Sequence, residues 1–277
     1  MERIIILGAG GFVGKYLSNF LKKKNIYCLR KKNCNLRLKK SRKILKKIIK
    51  KKSIIIFISA IAPCKNLNDF NNNMLMLENF ISSTKETYIK KIIYISSDAV
   101  YKDTKELINE ESTTEPSSLH GLMHLTREKI LKNYYHNKLI IIRPTSVYGA
   151  GDTHNSYGPN QFSRLARNKK NIVLFGNGEE IRDHVYIDDL LSIINRALIS
   201  NSAKIYNAVS GQPLSFFNLA KKINKIFNNN KKIMKIPRKG PIPHLGLRCF
   251  SLKKIKKNYP NYKPTKLNNG LKHLLNI

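Results

Sequence analysis

Arg3-Ile-Ile-Ile-Leu-Gly8-Ala-Gly-Gly11-Phe-Val-Gly14 reads as a strand running straight into a glycine-rich turn. Arg3 to Leu7 is almost wholly apolar and β-branched, as a buried strand requires. Beyond the turn, Phe12, Val13, Tyr16, Leu17, Phe20 and Leu21 recur at helical spacing. Gly8, Gly11 and Gly14 permit a tight turn and let backbone N–H groups approach a pyrophosphate, which the helix N-terminus then stabilises. Glycines also serve purely structural turns. The strand before and the amphipathic helix after favour dinucleotide binding, with Gly8, Gly11, Phe12, Val13 and Gly14 at the phosphates.

Working outward, Ile26 to Leu29 is a second short strand. Ile44, Leu45, Ile48 and Ile49 stripe a Lys-rich helix that leads into strand Ile54–Ser59. A helix around Met74–Lys85 precedes strand Lys91–Ser96, and a helix around Leu122–Tyr135 precedes strand Leu139–Arg143. This alternation predicts an α/β fold, a doubly wound parallel Rossmann sheet with right-handed crossovers. After Pro144 the pattern loosens, with helices near Asp188–Ile199 and Ser215–Phe227. The expected division is a Rossmann domain over 1–150, with 185–210 returning to it. A smaller C-terminal substrate-binding cap takes 151–184 and 211–277. Arg30, Lys31 and Lys32 follow the second strand, where an acidic residue would hold the ribose hydroxyls of NAD. Cations there favour the 2′-phosphate of NADP, although basic residues fall everywhere in so Lys-rich a chain. The cofactor is therefore NAD or NADP, with the balance tilted to NADP. Ser59 and Ala60, at the end of the third strand, join Arg30 in the cofactor set.

The 277 residues suffice for a core without a staple, and the formal charge is +35. Such a charge attracts polyanions. The excess is mostly Lys, spread over the chain with many Asn and Ile. All three have A/T-rich codons, so nucleotide bias accounts for it without a nucleic-acid partner, and no RNA- or DNA-binding motif appears. Cys28, Cys34, Cys64 and Cys249 lie far apart, as in a reduced intracellular protein. The longest apolar run, Ile54 to Ala62, is too short to span a bilayer. No signal-peptide layout follows Met1, so the cytoplasm is the expected compartment. No His/Cys/Asp grouping has metal-ligand spacing, so no metal is expected.

Four motifs stand in order along the chain: Gly8-Ala-Gly-Gly-Phe-Val-Gly14, Tyr94-Ile-Ser-Ser-Asp-Ala-Val-Tyr101, Arg143-Pro-Thr-Ser-Val-Tyr-Gly149 and Gly176-Asn-Gly-Glu-Glu-Ile-Arg-Asp-His-Val-Tyr-Ile-Asp-Asp189. Over nearly its whole length the chain thus resembles the extended short-chain dehydrogenase/reductases, the NAD-dependent epimerase/dehydratase group acting on nucleotide sugars. The resemblance implies that Asn35 and Leu36 touch adenine, though the family usually has Asp at the first. Ser97 matches the catalytic Ser/Thr that hydrogen-bonds the reacting oxygen. Asp98 stands where the sugar 4,6-dehydratases have an Asp acid, but Ala99 replaces their Glu. Pro144 and Thr145 match the nicotinamide-lining segment and Ser146 a substrate contact. Arg182 matches the arginine that clamps the nucleotide diphosphate, a role suited to a bidentate guanidinium. Its competing assignment is a surface ion pair with Asp183 or Glu180. Asp183 and Asp188 are read as anchors between the two parts, His184 as a packing or hydrogen-bonding residue.

The family's Tyr-x-x-x-Lys is here His120-Gly-Leu-Met-His124. Spacing i, i+4 puts both rings on one helical face. In one reading His120 is the general acid/base, since imidazole titrates near neutrality without help, and His124 hydrogen-bonds the ribose. In another, catalysis is lost and the fold persists as a dinucleotide-binding sensor or scaffold. A third recruits the phenol of Tyr101. The first is favoured: an NAD(P)-dependent oxidoreductase or epimerase of a nucleoside-diphosphate sugar, working by hydride transfer at a sugar carbon and feeding polysaccharide synthesis by family analogy. The catalytic set is Ser97, Asp98, His120 and His124. Homodimerism through two helices per subunit is the family habit.

Overall fold

A computed structural model describes residues 2–21, 25–84, 87–152, 155–200 and 204–275. In chain order its first elements are β1 (Ile4–Leu7), α1 (Phe12–Phe20), β2 (Ile26–Leu29), α2 (Ser41–Ile48), β3 (Ile54–Phe57), α3 (Leu67–Thr84), β4 (Lys91–Ile95), α4 (Leu119–Tyr135) and β5 (Leu139–Pro144). Then come β6 (Ser146–Tyr148), α5 (Pro159–Arg167), β7 (Ile172–Phe175), β8 (Ile181–Arg182), β9 (His184–Tyr186), α6 (Ile187–Ile199) and β10 (Ile205–Ala208). The last are β11 (Leu214–Ser215), α7 (Phe216–Ile226), β12 (Ile233–Ile236), β13 (Leu247–Arg248), α8 (Lys253–Asn258) and α9 (Leu267–His273).

Two compact units share this chain. The first takes residues 1–102, 113–144 and 191–206; the second takes 103–112, 145–190 and 207–277. The expected division placed 103–112 and 145–150 with the N-terminal part. The contacts put both with the second unit, and the boundary falls inside α6 and β10 rather than at their ends.

The first unit is built on a six-stranded parallel sheet, ordered β10-β5-β4-β3-β1-β2. Its strands are apolar on both faces because both are covered. Ile5, Leu7, Ile55, Phe57, Ile92, Tyr94 and Ile141 share one core with Leu45 of α2, Leu77 and Phe80 of α3, and Leu131 of α4. Ile6, Ile54, Ile56, Ile93 and Ile142 alternate with them on the opposite face and are as deeply buried. The order reverses between β1 and β3, and such a switch point leaves a crevice at the carboxyl ends of the strands.

Two helices begin earlier than their apolar spacing suggests. α3 starts at Leu67, not Met74: the Asn66 Oδ1 accepts the Asp69 N–H at 2.9 Å, and the Asp69 Oδ2 accepts the Lys65 N–H at 3.0 Å. Such reciprocal caps start a helix before any hydrophobic stripe is visible. The Lys85 end of the expected helix lies outside the described residues. α4 starts at Leu119 because the Ser118 Oγ accepts the Gly121 N–H at 3.1 Å, so His120 sits in the first turn.

The second unit holds three small sheets, β11-β8-β13, β12-β7 and β6-β9. α5 and α7 pack over a core of Phe162, Leu174, Phe216, Leu219 and Ile223. Among the described residues no helix is long and apolar enough to cross a membrane, and no group of three acidic, His or Cys side chains is placed to hold a metal.

Candidate active site

The glycine turn fills the switch point. Gly8 adopts φ +100, and a Cβ there would lie 2.7 Å from the Ser59 N, so only glycine lets β1 and β3 close this tightly. A Cβ on Gly14 would stand 2.1 Å from the Gly8 carbonyl oxygen. At Gly11 the space is open, with a single neighbour at 3.8 Å. Gly11 is also the N-cap of α1, no side chain caps it, and the first turn has no acidic residue. The helix therefore offers bare N–H groups and an uncompensated positive dipole end into that space. These residues fit a pyrophosphate.

Around this cradle, the exposed Arg30 runs its stem past Gly10, Cβ and Cγ lying 3.6 and 3.7 Å from where a Gly10 Cβ would be. Asn35 turns inward on its own backbone, its Oδ1 accepting the Arg37 N–H at 3.2 Å. Leu36 is core, and its carbonyl accepts from the Asn79 side chain. Ser59 gives its carbonyl to Arg127 at 2.8 Å, and Ala60 is half-buried beside it.

Ser97 follows β4 and caps the short turn 98–100, its Oγ accepting the Ala99 N–H at 3.2 Å. α4 begins hard against that turn. A Cβ on Gly121 would be 2.0 Å from the Ala99 carbonyl oxygen and 2.7 Å from the Pro116 Cβ. This contact brings the Ser97–Asp98 segment and His120 into one neighbourhood. Gly121→Ala should cost about 1–3 kcal/mol by overpacking, and displacing Ser97 from His120 should lower kcat/KM about 100-fold. Thermal unfolding compared with turnover measures the two losses separately.

The histidines differ. His120 is half-buried, and its Nδ1 accepts the Cys64 N–H at 3.3 Å. Burial lowers its pKa, while the Asp98 carboxylate pulls it back up. His124 is in the core at 4% exposure, with its Nδ1 2.7 Å from the Tyr94 hydroxyl. Burial, with the charges of His120 and Arg127, holds it well below the ordinary imidazole value. The two rings meet edge to face with centroids 4.8 Å apart. Tyr101 lies in the core at 1% exposure, its ring centroid 4.8 Å from the Arg143 guanidinium carbon. Glu128 fixes α4 from below. It accepts Ser96 Oγ at 2.5 Å and Arg143 at 2.9 and 2.5 Å through two nitrogens.

Pro144 ends β5, buried. In the second unit Thr145 is buried, its N–H donated to Ala208 and its Oγ1 unpartnered, while Ser146 is exposed on β6. Arg182 does pair with Glu180, at 2.8 Å, but this is not a surface pair: Glu180 is 3% exposed. Its other oxygen takes Arg238 at 2.5 Å. One buried carboxylate thus aligns two guanidiniums, and the Arg238 Nε is buried without a partner. Asp183 works inside this unit, accepting the Ser210 and Gly211 N–H groups at 2.9 and 2.7 Å. Asp189, rather than Asp188, holds Thr265. His184 packs on Phe216, and neither ring nitrogen has a partner. Sequence reasoning passed over Tyr94, Arg127 and Arg238, and named Glu180 only as a surface partner of Arg182. The one available signal was that Arg127 stands at i+7 from His120, on the same stripe.

The NAD dependent epimerase/dehydratase family matches residues 4–208, and the chain belongs to it. The dTDP-D-glucose 4,6-dehydratase of Dictyostelium discoideum is 27% identical over 275 residues, covering 82% of this chain. The chain spans 62% of that relative's length. RMD from Pseudomonas aeruginosa, solved with NADPH, has the same fold at TM-score 0.86 and 20% identity, over 100% of this chain and 98% of its own. The UDP-glucose 4-epimerase of Thermotoga maritima, solved with UDP-glucose, gives TM-score 0.85 and 17% identity, over 99% and 97%.

Proposed function

We propose that this protein is an NAD(P)-dependent oxidoreductase or epimerase of a nucleoside-diphosphate sugar. The observation that carries the reading is the uncapped start of α1 beside the open Gly11 at the switch point, in a chain of this family. The Dictyostelium relative acts on a dTDP-sugar, and the two structural neighbours hold NADPH and UDP-glucose. The bound nicotinamide would exchange hydride with a sugar carbon. Arg30 would meet a 2′-phosphate, which supports NADP. Arg182 and Arg238, aligned by Glu180, would take a diphosphate, because paired guanidiniums bind its oxygens bidentately.

Proton transfer falls to His120. While its Nδ1 accepts from Cys64, the neutral ring has its proton on Nε2 and offers a hydrogen bond there. Taking up or giving a proton requires releasing that contact. At 3.3 Å it is already longer than an ordinary N–H hydrogen bond. Asp98 then balances the imidazolium. Ser97 Oγ, oriented by the Ala99 N–H, adds a second hydrogen bond to the reacting oxygen.

The test is nicotinamide fluorescence with NADH and NADPH against a panel of UDP- and dTDP-hexoses and their keto forms. Turnover is expected with at least one sugar, and His120→Ala should reduce it by about 100- to 10,000-fold. Cofactor binding with no turnover on any sugar would favour the sensor or scaffold reading. Turnover that survives His120→Ala would remove the proton from this residue.

A further inference from the structure

Between Glu2 and Asp69 the chain has no acidic residue, whereas six of its 17 stand within 98–115. Nucleotide bias can multiply lysines everywhere, but it does not clear carboxylates from one stretch. The densest part, residues 30–52, holds 13 Lys or Arg among 23 residues, and α2 lies at its centre. Leu45 and Ile49 enter the first unit's core and Ser41 is buried with them, while Ile44 and Ile48 are half-buried. Lys43, Lys46, Lys47 and Lys50, at i, i+3, i+4 and i+7, are all exposed on the other side. Lys39 and Lys40, also exposed, extend that stripe by a turn.

The helix carries this stripe at a cost. Lys43 and Lys47 stand at i, i+4, where like charges repel. The first turn has no acidic residue, no side chain caps it, and cations there oppose the helix dipole. The carboxylate that α3 brings to α2 goes to another residue: Glu78 pairs with Arg42 at 2.6 Å. Among the described residues no carboxylate pairs with any of the six lysines. Local rules broken without relief in the same element mark a surface kept for a partner, and so cationic a surface takes an anionic one. Residues 30–52 include no aromatic side chain on which a nucleobase could stack. The lysines also lie on the convex outside of a helix rather than in a groove. Among them Leu38 is 44% exposed, between Arg37 and Lys39. Lysines around one aliphatic side chain suit a phospholipid surface, which attracts the charges and takes the leucine into its headgroup layer.

We propose that the outer face of α2 is a docking surface for an anionic phospholipid bilayer, with the lysine stripe on the headgroups and Leu38 inserted between them. Docking of this kind needs no membrane-spanning segment, and it weakens as salt rises because the contact is mainly electrostatic. The surface concerns where the protein works, and it stands whether or not His120 transfers the proton.

The test is co-sedimentation of the full chain with vesicles of phosphatidylcholine, alone or with about 30% phosphatidylglycerol, at about 0.15 M salt. Binding is expected only where phosphatidylglycerol is present. The variant Lys43→Gln/Lys46→Gln/Lys47→Gln/Lys50→Gln should bind about 100- to 1,000-fold more weakly. It should be at least as stable to urea as the parent, because the repulsion along α2 is relieved. Lys222→Gln/Lys225→Gln/Lys256→Gln/Lys257→Gln removes as many charges from exposed sites of the second unit. That control should bind within about threefold of the parent. Leu38→Gln should weaken vesicle binding about threefold through loss of the inserted side chain. Equal losses in the two quadruple variants would reduce the effect to net charge and overturn the proposal. Failure to bind phosphatidylglycerol vesicles, or binding to single-stranded RNA in their place, overturns it as well.

Discussion

Replacing Glu128 by leucine is expected to cost about 3–5 kcal/mol of folding stability, because it strands a buried cation. Arg143 and Glu128 are both about 4% exposed on their side chains, and the carboxylate receives Arg143 through Nε and Nη2. The Arg143 Nη1 is already buried with no partner. Removing the carboxylate leaves the guanidinium enclosed between Tyr101 and an apolar side chain. For a chain of this size the loss corresponds to a fall in melting temperature of roughly 10 °C. The double variant Glu128→Leu/Arg143→Met removes both charges and should recover most of the loss. Urea titrations of the parent, the two single variants and the double variant decide this. A single variant as stable as the parent would show the pair to be solvated, contrary to its burial.

The second large effect is acid sensitivity centred on His184. Its imidazole is 2% exposed against Phe216, with neither nitrogen partnered, and burial pushes its pKa from 6.5 down to about 3. The folded protein refuses a proton that the unfolded chain accepts. Stability is therefore complete above about pH 6.5 and declines as the pH falls toward 3. At pH 5 this residue alone should have cost about 2 kcal/mol. His120 and His124 are shifted in the same direction and add to the slope. His184→Phe should leave stability at pH 7 unchanged or improved, since no hydrogen bond is lost. It should also flatten the decline between about pH 6.5 and 4 relative to the parent. Denaturant midpoints at pH 7 and pH 5 for both proteins give the comparison. Parallel declines would mean that the ring reaches water.

Much of this was legible in the sequence. Strands such as Ile4–Leu7 and Ile54–Phe57 are short and apolar throughout, which is what a sheet covered on both faces demands. The glycine turn was legible because its spacing expresses a local steric need, visible at Gly8 and Gly14 as contacts no Cβ could make. The family followed from motifs in order. The two-residue strands β8, β11 and β13 were not legible, since an element that short has no period to detect. Nor was the difference between the two histidines. Helical spacing puts His120 and His124 on one face, but which ring meets Cys64 and which meets Tyr94 depends on residues 56 and 30 positions away. Arg182 shows the same limit: the sequence offered a diphosphate clamp or an ion pair with Glu180. The pair is present, buried, and doubled by Arg238 from a distant loop.

Three separated stretches of chain make up the first unit, and its sheet is completed by β10 only after most of the second unit's β6–α6 stretch has been made. During synthesis on the ribosome, the first 144 residues emerge with five strands and β5 at an open edge. That edge is Leu139-Ile-Ile-Ile142, an apolar ribbon of unpaired backbone of the kind that recruits other chains. Truncation near residue 150 should therefore give an aggregating product rather than a free nucleotide-binding domain. A fragment that includes β10 should stay dispersed. The protein's yield in a cell would then depend on how quickly the ribosome delivers the sixth strand.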